Sequence, residues 1–248
     1  MSNKTLNKLL LDNAEAVSYN IEAANNYLEE NEINIDDYIS RGLKEIDSIY
    51  KPVQPKELTK SKSFFRRVVL AAKITHECHN EWTFGSVKFQ KMVYLCEQVS
   101  QMNFSTNYSK QAAGPMDNKF IHSVKPQFEK QGWFSVKKVK SGNYEKVQFS
   151  PLEGVEGYKK YYTSYYQDVD TEIQYLIDTF RKWKTDDVEL VATIYSCWDE
   201  INNEKMIFSE QLIIQKVYAW HKKKKKFSEN EITKTLDWMR EQGIYPSS

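Results

Sequence analysis

Phe84-Gly-Ser-Val-Lys-Phe-Gln-Lys-Met-Val-Tyr-Leu95 is the stretch on which the reading of this chain turns. Gly85 punctuates the chain, and beyond it Phe89, Met92, Val93, Cys96 and Val99 recur at helical spacing. That spacing predicts a helix over residues 87–102 with one apolar stripe. Cys96 lies on the stripe and reads as a small buried hydrophobe.

Working outward, residues 64–79 predict a preceding helix that buries Phe65, Val68, Val69 and Ala72. Residues 103–115 read as a loop ending in Ala112-Ala113-Gly114-Pro115. Asp117 or Asn118 can cap a following helix that carries Phe120, Ile121, Val124 and Phe128. Pro126 lies inside it and is expected to kink or restart the helix, and Gly132 to end it. Two short runs rich in β-branched and aromatic residues, 133–139 and 144–149, flank Lys140-Ser-Gly-Asn143 and predict a hairpin. Three helices and a hairpin give a winged-helix outline.

Beyond Pro151 the chain reads as helical again. Asp186 with Glu189 is expected as a capping pair, Ser209 as a cap, and Ser228-Glu-Asn-Glu231 as a capping box. A last helix with Ile232, Leu236 and Met239 stops at Gly243 and Pro246. Toward the N-terminus, residues 5–30 and 36–50 predict two amphipathic helices, and 51–63, with two prolines, predicts a linker. The expected organisation is a helical pair (1–50), a linker (51–63), a helical module with a hairpin (64–150) and a helical region packed on it (151–248). The fold class is mainly α.

Charge is unevenly spread. Residues 61–150 hold 14 basic and 6 acidic side chains, whereas 1–60 hold 7 and 11, and 151–248 hold 14 and 17. A basic middle favours an acidic partner, protein or nucleic acid. No apolar run is long enough to span a bilayer, and Leu9-Leu-Leu11 is too short for a signal peptide. The three widely spaced cysteines, Cys78, Cys96 and Cys197, fit a reducing cytoplasm.

Signals for chemistry are sparse. His76-Glu-Cys-His79 puts two imidazoles three residues apart, but a tetrahedral metal needs two more ligands and no CxxC or HExxH accompanies them. Cys78 with His122 would be a nucleophile and base only if the fold brought them together. No Walker loop, GxGxxG or GxSxG is present. No catalytic residue, metal or cofactor is therefore expected; a metal-dependent nuclease using scattered carboxylates is the enzymatic alternative. Lys222, Lys223 and Lys224 begin a five-lysine run that could meet phosphates. Lys119, Lys125 and Lys130 lie on the polar side of the 118–131 helix and could act with the hairpin as a reader and wing for DNA.

The stretch 84–95, followed by Tyr108-Ser-Lys-Gln-Ala-Ala-Gly-Pro115 and Gln131-Gly-Trp-Phe134, resembles Panacea-type antitoxin domains, in which a lysine- and leucine-bearing helix precedes a glycine–proline loop. It resembles still more a related module associated with specificity subunits of bacterial type I restriction-modification systems. Trp220-His-Lys222, Phe227-Ser-Glu229, Leu236-Asp-Trp-Met239 and Gly243-Ile-Tyr-Pro246 correspond to that module's end. The resemblance covers residues 64–248. A specificity subunit needs two target-recognition domains, which 248 residues cannot hold, so an accessory or standalone version is implied. The resemblance implies a non-catalytic component of a bacterial defence or toxin–antitoxin-like system, acting by protein–protein contact. Its candidate contact residues here are Lys88, Lys91, Tyr94, Tyr108, Gly114, Pro115, Asp117 and Trp133. The N-terminal helices could dock a partner or a second copy.

Overall fold

The computed structural model describes residues 60–247, except 103, 105, 142 and 143. The two helices expected within 1–50, and any pairing through them, lie outside the described residues. Helix α1 (Lys60–Cys78) begins four residues before the expected Phe64, within the stretch read as linker. No Gly or Pro interrupts it, and Val68, Val69, Leu70, Ala71, Ala72, Ile74 and Cys78 have no exposed surface. Helix α2 (Ser86–Val99) follows, and every residue over 88–97 is buried. The stripe of Phe89, Met92, Val93 and Cys96 is in the core. The opposite faces are buried as well, carrying Lys88, Gln90, Lys91 and Glu97 inward with them.

The stretch expected as a loop contains strands β1 (Ser109–Gln111) and β2 (Gly114–Met116), which pair antiparallel across Ala112-Ala113. Three-residue strands carry no legible alternation, so nothing in the sequence announces them. Gly114 takes φ +90, a left-handed conformation that suits glycine at this turn. Asp117 caps helix α3 (Asn118–Gln131), its side chain accepting from Phe120 N at 3.0 Å. Helix α3 runs through Pro126 as one continuous helix and does not restart there. It ends in a Schellman arrangement at Gly132 (φ +69), with Trp133 N donating to Phe128 O at 2.9 Å. The expected hairpin is formed by β3 (Phe134–Ser141) and β4 (Tyr144–Pro151), in register Val136↔Phe149 and Val139↔Lys146.

A 3-10 turn (Val155–Tyr158) leads to α4 (Lys159–Tyr166), α5 (Asp170–Phe180), α6 (Thr185–Asn203), α7 (Glu210–Trp220) and α8 (Glu229–Glu241). The protein is mainly α with two small antiparallel hairpins. Helix α2 packs on α1, α5, α6 and β2, and α6 in turn on α7, α8 and β2, so α2 and α6 form the spine of one continuous apolar core. Ser209 and the Ser228–Glu231 box cap α7 and α8 as expected. Asp186 and Glu189 do not cap α6, whose first turn has no side-chain cap. Both carboxylates instead point to lysines of a later turn.

All three cysteines are buried. Burial pushes the thiols of Cys78 and Cys197 up to about 12, and that of Cys96 upward as well. No described helix is long and apolar enough to cross a membrane.

Candidate functional site

Three elements meet at one place: the hairpin β1–β2, the first half of α6, and the 3-10 turn Lys222–Lys226 that follows α7. The floor is built from buried charge. Lys91 of α2 has no exposed surface, and its Nζ donates to Pro115 O. Burial pulls its pKa down to about 7; the nearby Lys224 cation adds to the fall and Glu189 opposes it. Lys224 is also wholly buried. Its Nζ donates to Glu189 Oε1 at 2.9 Å and Thr193 Oγ1 at 2.8 Å. Thr193 Oγ1 donates to Glu189 O at 2.7 Å, so each member of this cluster is held by another.

Gly114 lies directly on the cluster. A Cβ there would stand 2.8 Å from Thr193 Oγ1 and 3.4 Å from Lys91 Cε. The left-handed backbone alone costs a non-glycine residue about 1–2 kcal/mol, and Thr193 is too well bonded to yield freely. Gly114→Ala is therefore expected to lose about 2–3 kcal/mol of stability, read from urea unfolding. A loss smaller than the backbone cost would show that β2 relaxes away from α6.

The rim lies above this floor. Ala112 and Ala113 on one side and Lys222, Lys223 and Lys226 on the other border a cleft of about 520 Å³, with Glu189 at its base. Lys226 is shared between Asp186 Oδ1 at 2.8 Å and Glu189 Oε1 at 3.4 Å. His221 Nδ1 accepts from Lys223 N at 3.1 Å and so starts the lysine turn. Trp220 Nε1 donates to Gln111 O at 2.8 Å, tying the end of α7 to β1. Lys110 binds Glu200 and lies 5.2 Å from the Trp220 ring. Both walls are thus fastened.

A second buried cluster fixes the base of the hairpin. Arg67 of α1 donates through Nε to Glu97, through Nη1 to Asp117 Oδ2 at 2.5 Å, and through Nη2 to the Tyr108 hydroxyl at 2.8 Å. Tyr108 donates to Glu97 Oε2 at 2.6 Å. The Arg67 guanidinium lies 3.9 Å from the Phe120 ring centre. Burial works against its charge, but Tyr108 and the two carboxylates outweigh that and hold it firmly cationic.

Most residues singled out as partner contacts lie beneath the surface. Lys88, Lys91, Tyr94, Gly114, Pro115, Asp117 and Trp133 are buried, and Tyr108 is half-buried. Lys88 Nζ donates to Thr83 Oγ1, Arg181 O and Trp183 O, each at 2.7 Å. Tyr94 meets Tyr108 edge-on at 4.8 Å, and Trp133 packs against Phe65, Tyr158 and Tyr161. Among them Lys91, Tyr108, Gly114, Pro115 and Asp117 build or brace the β1–β2 hairpin from below. Lys91, Gly114 and Pro115 come together with Lys224; Lys88 and Trp133 serve other junctions. The lysine run is divided: Lys222 and Lys223 are exposed, whereas Lys224 turns inward as the middle member of the five-residue 3-10 turn. Lys119, Lys125 and Lys130 are exposed along α3.

The histidine pair has other work. His76 Nε2 lies 3.3 Å from Glu156, His79 Nδ1 lies 3.0 Å from His76 O, and the Cys78 thiol meets Met92. Among the described residues no group of three His, Cys, Asp or Glu side chains is arranged to hold a metal. Glu189, expected only as a capping residue, and Thr193 join the site. Their signal was a carboxylate and a hydroxyl four residues apart within the apolar run 188–197. No protein-family model matches the chain, and no curated protein matches it either.

Proposed function

We propose that this chain is a non-catalytic binding component that seats an acidic segment of a protein partner in the cleft between the Ala112-Ala113 turn and the Lys222–Lys226 turn. The observation that supports this most is the concentration of lysines at the rim of a preformed cleft whose walls and floor are pinned. Fixing the cleft backbone, and Lys226 through Asp186 and Glu189, spares part of the entropy that association would otherwise lose. A basic rim steers acidic groups in and rejects basic ones. The resemblance to Panacea-type and restriction-linked modules supports placing such a component in a cytoplasmic bacterial defence system, restriction-modification-linked or toxin–antitoxin-like.

The test is charge reversal where it cannot harm the fold. Lys222→Glu with Lys223→Glu alters two exposed side chains and should leave the melting temperature unchanged. Binding of a short glutamate- and aspartate-rich peptide is expected to weaken at least ~tenfold. The native partner, purified with the wild-type chain from its host, should be lost from the variant. Equal peptide binding by both proteins defeats the proposal.

A further inference from the structure

Trp82 is 79 % exposed, in a loop whose neighbours are anchored on every side. Phe84, two residues on, is buried against Phe89 and Phe149. Within the loop, Phe84 N donates to Glu81 O at 2.9 Å. From β4, Lys146 Nζ donates to Trp82 O. From the corner between α5 and α6, Thr185 Oγ1 donates to Thr83 O at 3.1 Å, and Arg181 pairs with Glu81 at 3.4 Å. Beneath, buried Lys88 gives all its described hydrogen bonds to this junction, linking Thr83 to the Arg181 and Trp183 carbonyls. A large apolar ring is thus held out in water on a backbone with little freedom left.

Its flanks are basic. The register Lys137↔Gln148 and Val139↔Lys146 puts Lys137 on the same side of the hairpin as Lys146. Lys182 and Lys184 are exposed in the corner on the other flank. Glu81 is paired with Arg181 and Glu145 with Lys138, while Asp187 lies exposed near Lys184. An exposed aromatic ring on an anchored backbone, with lysines from the hairpin and from the α5–α6 corner nearby, matches a flexible chain that alternates flat bases with phosphates. Such sites stack one base and track the backbone on either side.

We propose that Trp82, with Lys137 and Lys146 on one flank and Lys182 and Lys184 on the other, forms a platform for single-stranded nucleic acid. The platform is separate from the cleft and does not rest on what the cleft binds. A duplex keeps its bases stacked on each other, so it offers the indole no free face.

The measurement is fluorescence anisotropy with three probes: labelled oligo-dT, the duplex it forms with oligo-dA, and a glutamate-rich peptide. Wild type is expected to bind the single strand, more tightly than the duplex, with steep salt dependence. Trp82→Ala should weaken single-strand binding by about 5- to 150-fold, the range set by one stacked base. Trp82→Phe should retain most of it, because a flat ring remains. Lys137→Ala with Lys182→Ala should reduce the slope of log affinity against log salt by about 0.7 for each phosphate left without its lysine. Because Trp82 is exposed, the melting temperature should not move in Trp82→Ala. Any of three results overturns the platform: no single-strand binding at low salt, equal affinity of wild type and Trp82→Ala, or a loss on Trp82→Ala that affects only the peptide.

Discussion

Arg67→Ala is expected to lower the free energy of unfolding by about 3–5 kcal/mol, the cost of breaking a buried ion cluster from one side. Arg67 is the only cation that contacts Glu97 or Asp117 among the described ion pairs, and the Glu97 side chain has no exposed surface. Without the guanidinium, Glu97 keeps only the Tyr108 hydroxyl and must take up a proton or admit water. The damage spreads because each partner has another duty. Asp117 caps α3, and Tyr108 stands directly before β1. Urea unfolding gives the magnitude through the midpoint, provided the slope is unchanged. Arg67→Met combined with Glu97→Leu and Asp117→Asn should recover much of the loss, since it removes the charges together and keeps a cap. A loss below ~1 kcal/mol for Arg67→Ala, the range of exposed pairs, would place the cluster in water rather than in the core.

The second large effect is a dependence on pH traceable to Lys91. Its ordinary pKa of 10.5 falls to about 7 in the folded chain, with burial the main cause. Below pH 7 both folded and unfolded chains hold the proton, so Lys91 contributes no slope while the cost of burying its charge is present in full. Between pH 7 and 10.5 the unfolded chain holds the proton and the folded chain does not, so stability rises with pH. The slope approaches about 1.4 kcal/mol per pH unit. Lys88 is pushed the same way, to about 8, so wild type alone cannot apportion the slope. Comparison with Lys91→Met removes that ambiguity, because Lys88 is present in both proteins. The wild-type advantage over Lys91→Met should grow by about 2–3 kcal/mol from pH 7 to 9. A constant difference over that interval would show that Lys91 keeps its charge throughout.

Elements whose core faces have a clear period could be read from the sequence. The α2 stripe, the β3–β4 hairpin, the Asp117 and Ser209 caps and the Ser228–Glu231 box all depend on neighbours a few residues away. What escaped depends on distant ones. The β1–β2 hairpin is three residues a side and is pressed into shape by α2 and α6. Asp186 and Glu189 carry a cap-like spacing but are claimed by lysines some forty residues on. Lys88 and Lys91 sit in a helix with charge on several faces, which looks half-exposed until its surroundings are known. Of the distinctive stretch 84–95 only Lys91 reaches the underside of the β1–β2 hairpin, through Pro115 O, whereas the charged rim of the cleft comes mostly from 222–226. A lysine run gives no sign of which member turns inward.

The burial of Cys78, Cys96 and Cys197 has a practical consequence. Only a thiolate reacts quickly with maleimides or iodoacetamide, and these three sulfurs are both shielded and reluctant to ionise. The sequence contains no other cysteine. A cysteine introduced at Ala113 or Lys222 would therefore be the one fast-reacting position in an otherwise unaltered chain. A dye or spin label attached there would report directly on events at the mouth of the cleft, with no background from native sulfur.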